Sequence, residues 1–153
     1  MADTKDPAVS VCFEVQIDDS KLGAFNGCEG LGCEVVIEQR EEGGHNGVVW
    51  QLPSRLKYPN IKLTRPLTGD TEEVLKWFSS VLTGLGKRNA FITARALDGR
   101  EVARWGLMDV VPVRWTGPSL NPDSPKVATE TVEFAHHGFI PPTGKPANGA
   151  GQN

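Results

Sequence analysis

The sequence contains no apolar run approaching the ~20 residues that cross a bilayer, and its first residues, Met1-Ala2-Asp3-Thr4-Lys5-Asp6, hold no hydrophobic signal core. Such a chain is expected to stay in the cytoplasm of the cell that makes it, without stable membrane association. Cysteine is scarce. Three residues, Cys12, Cys28 and Cys33, are an odd number in a chain with no secretory signal, which argues against a disulfide framework and for reduced, partly buried thiols. Charge of one sign is lacking as well: sixteen Lys and Arg against nineteen Asp and Glu leave a formal charge of -3. That balance is too mild to make nucleic acid or an anionic membrane the main partner.

What is present is punctuation. Seventeen glycines and eleven prolines in 153 residues favour many short elements over a few long helices, and the length suits one domain with a real core. Residues 1–10 and 141–153 are polar and without periodicity, so they are expected to be flexible tails around a folded unit at 11–140. Within that unit Val11, Phe13, Val15 and Ile17 alternate with polar residues and predict a half-buried strand. The segment Cys33 to Arg40 repeats the pattern, with Cys33, Val35 and Ile37 inward. A glycine-rich loop, Glu41 to Gly47, then leads into an extended Val48 to Leu52, which together read as a long hairpin.

Ile61 to Arg65 predicts a further strand after a Tyr58-Pro59-Asn60 turn. Asp70 with Glu73 three residues on resembles a capping box, and Val74, Leu75, Phe78, Val81 and Leu82 recur at helical spacing up to Gly84 or Gly86, with Trp77 at the margin of the packed face. Asp98-Gly99 between Phe91–Leu97 and Arg100–Trp105 predicts a hairpin with a two-residue type I′ turn. Pro112 confines the strand Leu107–Trp115 to an edge or a bulge. The last strand, Val127 to His136, is patterned less cleanly because Glu130 shares parity with Val132 and Phe134. The sum is a mainly β fold of roughly eight strands: a small antiparallel sandwich or barrel with one inserted α-helix and a long hairpin. Its edges are a liability unless a partner covers them.

Chemistry-bearing constellations are weak. Cys28 and Cys33 are spaced more widely than paired zinc ligands usually are, and His136 and His137, being adjacent on a strand, point to opposite faces, so no metal site is expected. No sequence feature brings His45, His136 or His137 beside a nucleophile, and the glycines at 23, 27, 30 and 32 lack the spacing of a phosphate-binding loop, so no catalytic residue and no cofactor is expected. Trp50, Trp105 and Trp115, interleaved with Arg104 and Arg114, admit a competing reading as a monomeric β-barrel that binds a small ligand or single-stranded nucleic acid. An enzyme using Cys28 or Cys33 with a histidine is the third reading.

The run Leu52-Pro53-Ser54-Arg55-Leu56-Lys57-Tyr58-Pro59-Asn60-Ile61-Lys62-Leu63-Thr64-Arg65, followed by Thr68-Gly69-Asp70 and Trp77, resembles the tail-tube proteins of contractile phage tails and phage-tail-like contractile injection systems. Phe13 to Asp18, Glu29-Gly30-Leu31, Glu41 to Asn46, Arg104-Trp105, Pro112 to Asn121 and Val127 to Thr131 are similar to that family's other blocks, in order, over about residues 11–138. The resemblance implies a non-enzymatic subunit that assembles with itself into hexameric rings, which stack as the inner tube of an injection particle or virion tail. Its further partners would be sheath and baseplate proteins, with cargo or DNA in the lumen. The in-ring contact is then expected at Phe13, Val15, Ile17, Cys33, Val35 and Ile37, and ring stacking at the hairpin loop Arg40, Glu41, Glu42, Gly43, Gly44, His45, Asn46 and Gly47. Departures at Gln39-Arg40, Asp109-Val110 and Arg65-Pro66 leave main tube and specialised terminal or baseplate ring both open.

Overall fold

The structure, a computed structural model, describes residues 12–41, 47, 49–84, 86, 88–119, 121–123 and 127–141. The expected tail at 1–10, the expected tail at 141–153 apart from Pro141, and loop residues Glu42, Gly43, Gly44, His45 and Asn46 lie outside them. Among the described residues ten strands and one α-helix follow in the order β1 (Cys12–Ile17), β2 (Ser20–Phe25), β3 (Gly27–Glu29), β4 (Glu34–Glu41), β5 (Val49–Lys57), β6 (Ile61–Pro66), α1 (Thr71–Ser80), β7 (Ala90–Arg95), β8 (Glu101–Leu107), β9 (Val111–Thr116) and β10 (Thr129–Ala135). Two four-stranded antiparallel sheets, ordered β2-β1-β7-β8 and β3-β6-β10-β9, enclose the core.

Alternation builds the core as the sequence implies. Val15 and Ile17 of β1, Ile61 and Leu63 of β6, Ile92 of β7, and Val132 and Phe134 of β10 all point inward and are buried. The chain passes from one sheet to the other at Asn26, whose amide donates to the Thr64 carbonyl at 3.0 Å. At the opposite corner the segment after β10 runs along β8, with the Ile140 amide donating to the Gly106 carbonyl at 2.8 Å. Gly30 lets loop and strand meet: at φ +94°, a Cβ there would stand 2.1 Å from the Asn60 carbonyl oxygen, so both conformation and space require glycine.

Three local expectations are corrected. Asp70 stands at the N-cap of α1, yet its side chain makes no capping bond; its backbone carbonyl accepts from the Glu73 amide at 3.2 Å, and the Thr71 hydroxyl donates to the Thr68 carbonyl at 3.2 Å. Second, α1 ends at Ser80 and buries Val74 and Trp77, with Phe78 half-buried against the core and Leu75 exposed, while Val81 and Leu82 fall in the 3-10 turn Val81–Thr83 that follows and are exposed. Trp77 is central, its ring 5.6 Å from that of Phe134.

The third is the β7–β8 turn, which is not type I′. The Gly99 amide donates to the Ala96 carbonyl at 3.0 Å and the Ala96 amide to the Arg100 carbonyl at 2.9 Å. Only Gly99, at φ +85°, is left-handed; Asp98 is not among the positive-φ residues. The loop is therefore Leu97-Asp98-Gly99, a turn closed by a glycine bulge. Pro112 behaves as expected, on the edge strand β9 beside a register shift.

Candidate assembly surface

The hairpin β4–β5 hydrogen-bonds to neither sheet. A two-stranded ribbon is at best marginally stable by itself in water, and this one carries apolar side chains on both faces. Cross-strand partners share a face, and the pairs Val35–Leu56 and Ile37–Pro53 lie on one, Glu38–Leu52 and Arg40–Trp50 on the other. Val35 and Ile37 are each 44% exposed, and Trp50 and Leu56 each 52%. At ~25 cal/mol per Å² of apolar area, an uncovered ribbon of this kind forgoes several kcal/mol. Such a surface is what an interaction site looks like.

The residues expected at the in-ring contact divide. Phe13, Val15 and Ile17 lie on β1, which is hydrogen-bonded by β2 on one edge and β7 on the other. Val15 and Ile17 are fully buried in the subunit's own core, which corrects their assignment to a contact, while Phe13 is half-buried and packs against the same core. Cys33, Val35 and Ile37 depart from expectation in the opposite sense: expected inward, they are exposed, Cys33 in the loop before β4. Of the expected stacking residues, Arg40 and Glu41 end β4 with exposed side chains and Gly47 is exposed at φ +104°.

Local sequence reasoning missed the group that ties the two sheets together. Arg65 and Glu130 are direct cross-strand partners on β6 and β10 and occupy core positions, with side chains 1% and 0% exposed. The Arg65 Nε donates to Glu130 Oε1 at 2.5 Å and its Nη1 to the Leu22 carbonyl at 2.6 Å, while the guanidinium lies 4.3 Å from the Phe25 ring centroid. Trp115 Nε1 and the Thr71 hydroxyl both donate to Glu130 Oε2 at 3.0 Å. Burial pushes the Glu130 carboxyl up, but the bonds from Trp115, Arg65 and Thr71 and the Arg65 charge outweigh it, holding it below the usual carboxylate range. The pair joins β2, β6, β9, β10 and α1. Its role is architectural.

The competing constellations are dispersed. Trp105 is on β8 of one sheet, Trp115 on β9 of the other with its indole turned to Glu130, and Trp50 on the separate ribbon, so the three do not form one stacking platform. Cys28 is half-buried on β3, its thiol pushed up to about 11 by burial and by Glu29, a poor nucleophile at neutral pH. His136 is buried, its ring centroid 5.2 Å from that of Tyr58 with the rings tilted at 48°, and its Nδ1 accepts from the Gly138 amide at 3.2 Å; burial lowers its pKa. His137 is exposed, its Nδ1 2.7 Å from the Asp109 carbonyl. Among the described residues no three His, Cys, Asp or Glu side chains gather as metal ligands, and no helix is long and apolar enough to cross a membrane.

Residues 9–140 match the family model of the T4-like virus tail tube protein gp19. The chain belongs to that family. As a tail tube protein it is similar in fold to a chain of the PVC extracellular contractile injection system, solved in its extended sheath-tube complex: 22% identity, TM-score 0.75, covering 90% of this chain and 92% of the other. A chain of the anti-feeding prophage baseplate is 24% identical, with a TM-score of 0.72 over 89% of this chain and 95% of its own. A third, from the anti-feeding prophage tube-terminating cap, is 21% identical at a TM-score of 0.70, covering 88% and 93%. No curated protein sequence matches the chain. The tail tube family and the sandwich expected from sequence thus agree with the structure.

Proposed function

We propose that this tail tube protein forms hexameric rings that stack into the inner tube of a contractile injection particle or phage tail, and that β4–β5 is the arm by which neighbouring copies engage. The observation that carries the reading is the ribbon itself: two strands bonded to neither sheet, apolar on both faces, in a member of a tail tube family. Two uncovered faces call for two covering surfaces, which a ring of identical subunits supplies when each arm lies across its neighbour. Ring closure makes that contact heterologous, and stacking leaves a polymer free to grow. Cys33, Val35 and Ile37 lie at the in-ring contact, and Arg40 to Gly47, the arm's tip, at the contact between rings. The tube is a passive conduit for cargo or DNA, enclosed by a sheath and seated on a baseplate; no step of catalysis belongs to it.

Negative-stain microscopy tests this. Purified protein at rising concentration is expected to show rings and then tubes, and Ile37→Asp with Trp50→Asp to leave monomers of unchanged circular dichroism. Wild-type protein that stays as dispersed monomers at every concentration would overturn the reading.

A further inference from the structure

The hairpin β7–β8 carries a knob at one end and a hole at the other. The knob is Leu97, 87% exposed at the tip of the turn. An apolar side chain so placed is not there for its own subunit's core, yet the tip is rigid. Besides the two backbone bonds that close the turn, Asp98 Oδ1 accepts from the Arg100 amide at 2.9 Å and Arg95 Nη1 donates to the Gly99 carbonyl at 3.1 Å. The hole is an open recess of about 530 Å³ lined by Phe91, Arg104, Trp105, Gly106, Phe139, Ile140 and Pro141. Its floor depends on Gly106: a Cβ there would stand 3.0 Å from Ile140 and 3.1 Å from Phe91.

Phe91 and Gly106 are cross-strand partners near the start of β7 and the end of β8. Six residues of extended chain separate Phe91 from Leu97, about 20 Å, so knob and hole sit at opposite ends of one rigid ribbon. Charge agrees with shape. The Arg104 guanidinium lies 4.6 Å from the Phe91 ring centroid, beside the hole, and is exposed. Asp98 stands next to Leu97 on the tip, where Arg95 is already paired with Glu14 at 2.9 Å and the neighbouring Arg100 and Glu101 carry opposite formal charges.

We infer that the occupant of the hole is a second copy of this chain: Leu97 of a subunit in one ring enters the Phe91–Trp105–Phe139–Ile140 recess of a subunit in the next, and Asp98 meets Arg104. This deepens the tube reading and rests on its stacking step. A projection at one end that fits a recess at the other makes a head-to-tail contact, which repeats without closing, and it supplies a second stacking contact beside the β4–β5 tip.

Cross-linking the assembled protein tests the inference. With Cys12, Cys28 and Cys33 replaced by Ser, Leu97→Cys and Ile140→Cys are combined, tubes are assembled and oxidised, and the products are separated on a denaturing non-reducing gel. A covalent ladder continuing past six chains is expected, because a link within one ring stops at six. Tubes without a ladder would overturn this contact while leaving the tube reading standing; no tubes or rings from the wild type would overturn the tube reading itself. Leu97→Asp in the otherwise native chain supplies a check that does not depend on the double variant folding. It is expected to raise the concentration needed for tube formation at least tenfold and to leave rings intact. Tube formation unchanged from wild type would refute the proposal.

Discussion

Arg65 and Glu130 occupy interior positions of the kind that Ile61, Leu63, Val132 and Phe134 fill elsewhere in the same sheet, and each is tolerable there because of the other. Glu130→Ala would leave the Arg65 charge buried at 1% exposure without its carboxylate, and is expected to cost about 3–5 kcal/mol in urea unfolding. Glu130→Gln keeps the shape and removes the charge. Because the folded carboxyl lies below its ordinary 4.5, the native state favours the ionised form. The stability this contributes is present above that value and is lost as pH falls through the lower folded one. Glu130→Gln is therefore expected to flatten the acid limb of the stability profile below about pH 4.5, and an unchanged acid limb would remove the pair from that role. In the sequence the parity of Glu130 with Val132 and Phe134 marks the anomaly. Its resolution, a cross-strand arginine 65 residues away, comes from strand pairing, which no local period encodes.

Among elements, α1 shows how far an amphipathic pattern goes. The spacing finds the helix but runs past its end: the face it buries is centred on Val74 and Trp77, and Leu82, in the 3-10 turn after Ser80 and 91% exposed, takes no part in the core. Trp77→Ala is expected to cost about 3–5 kcal/mol and Leu82→Ala less than about 0.5 kcal/mol, measured by thermal or denaturant unfolding; equal costs would contradict the packing described. The strand β2 was not legible because a bulge interrupts its alternation. Val15 pairs with Gly23 and Gln16 with Lys21, so Leu22 is the extra residue, and Leu22 and Phe25, three apart, both turn inward. The β7–β8 hairpin was legible as a hairpin, its turn type was not: Asp-Gly fits both a two-residue turn and the glycine-bulge turn, and only backbone angles separate them.

At the scale of the whole molecule, the subunit is well packed in its sandwich and unfinished in its arm. The uncovered edges implied by so many short strands were visible in the sequence. Which residues lie on them was not, since Val15 on β1 and Val35 on β4 have the same alternating context and only topology makes one core and the other surface. Amide hydrogen exchange, followed in the same sample diluted to monomer and concentrated to assembly, tests the central claim most directly. The amides of β1 and β7 are expected to be protected in both states, and those of β4 and β5 only in the assembly. A ribbon equally protected in the dilute monomer, and unchanged on concentration, would contradict the account.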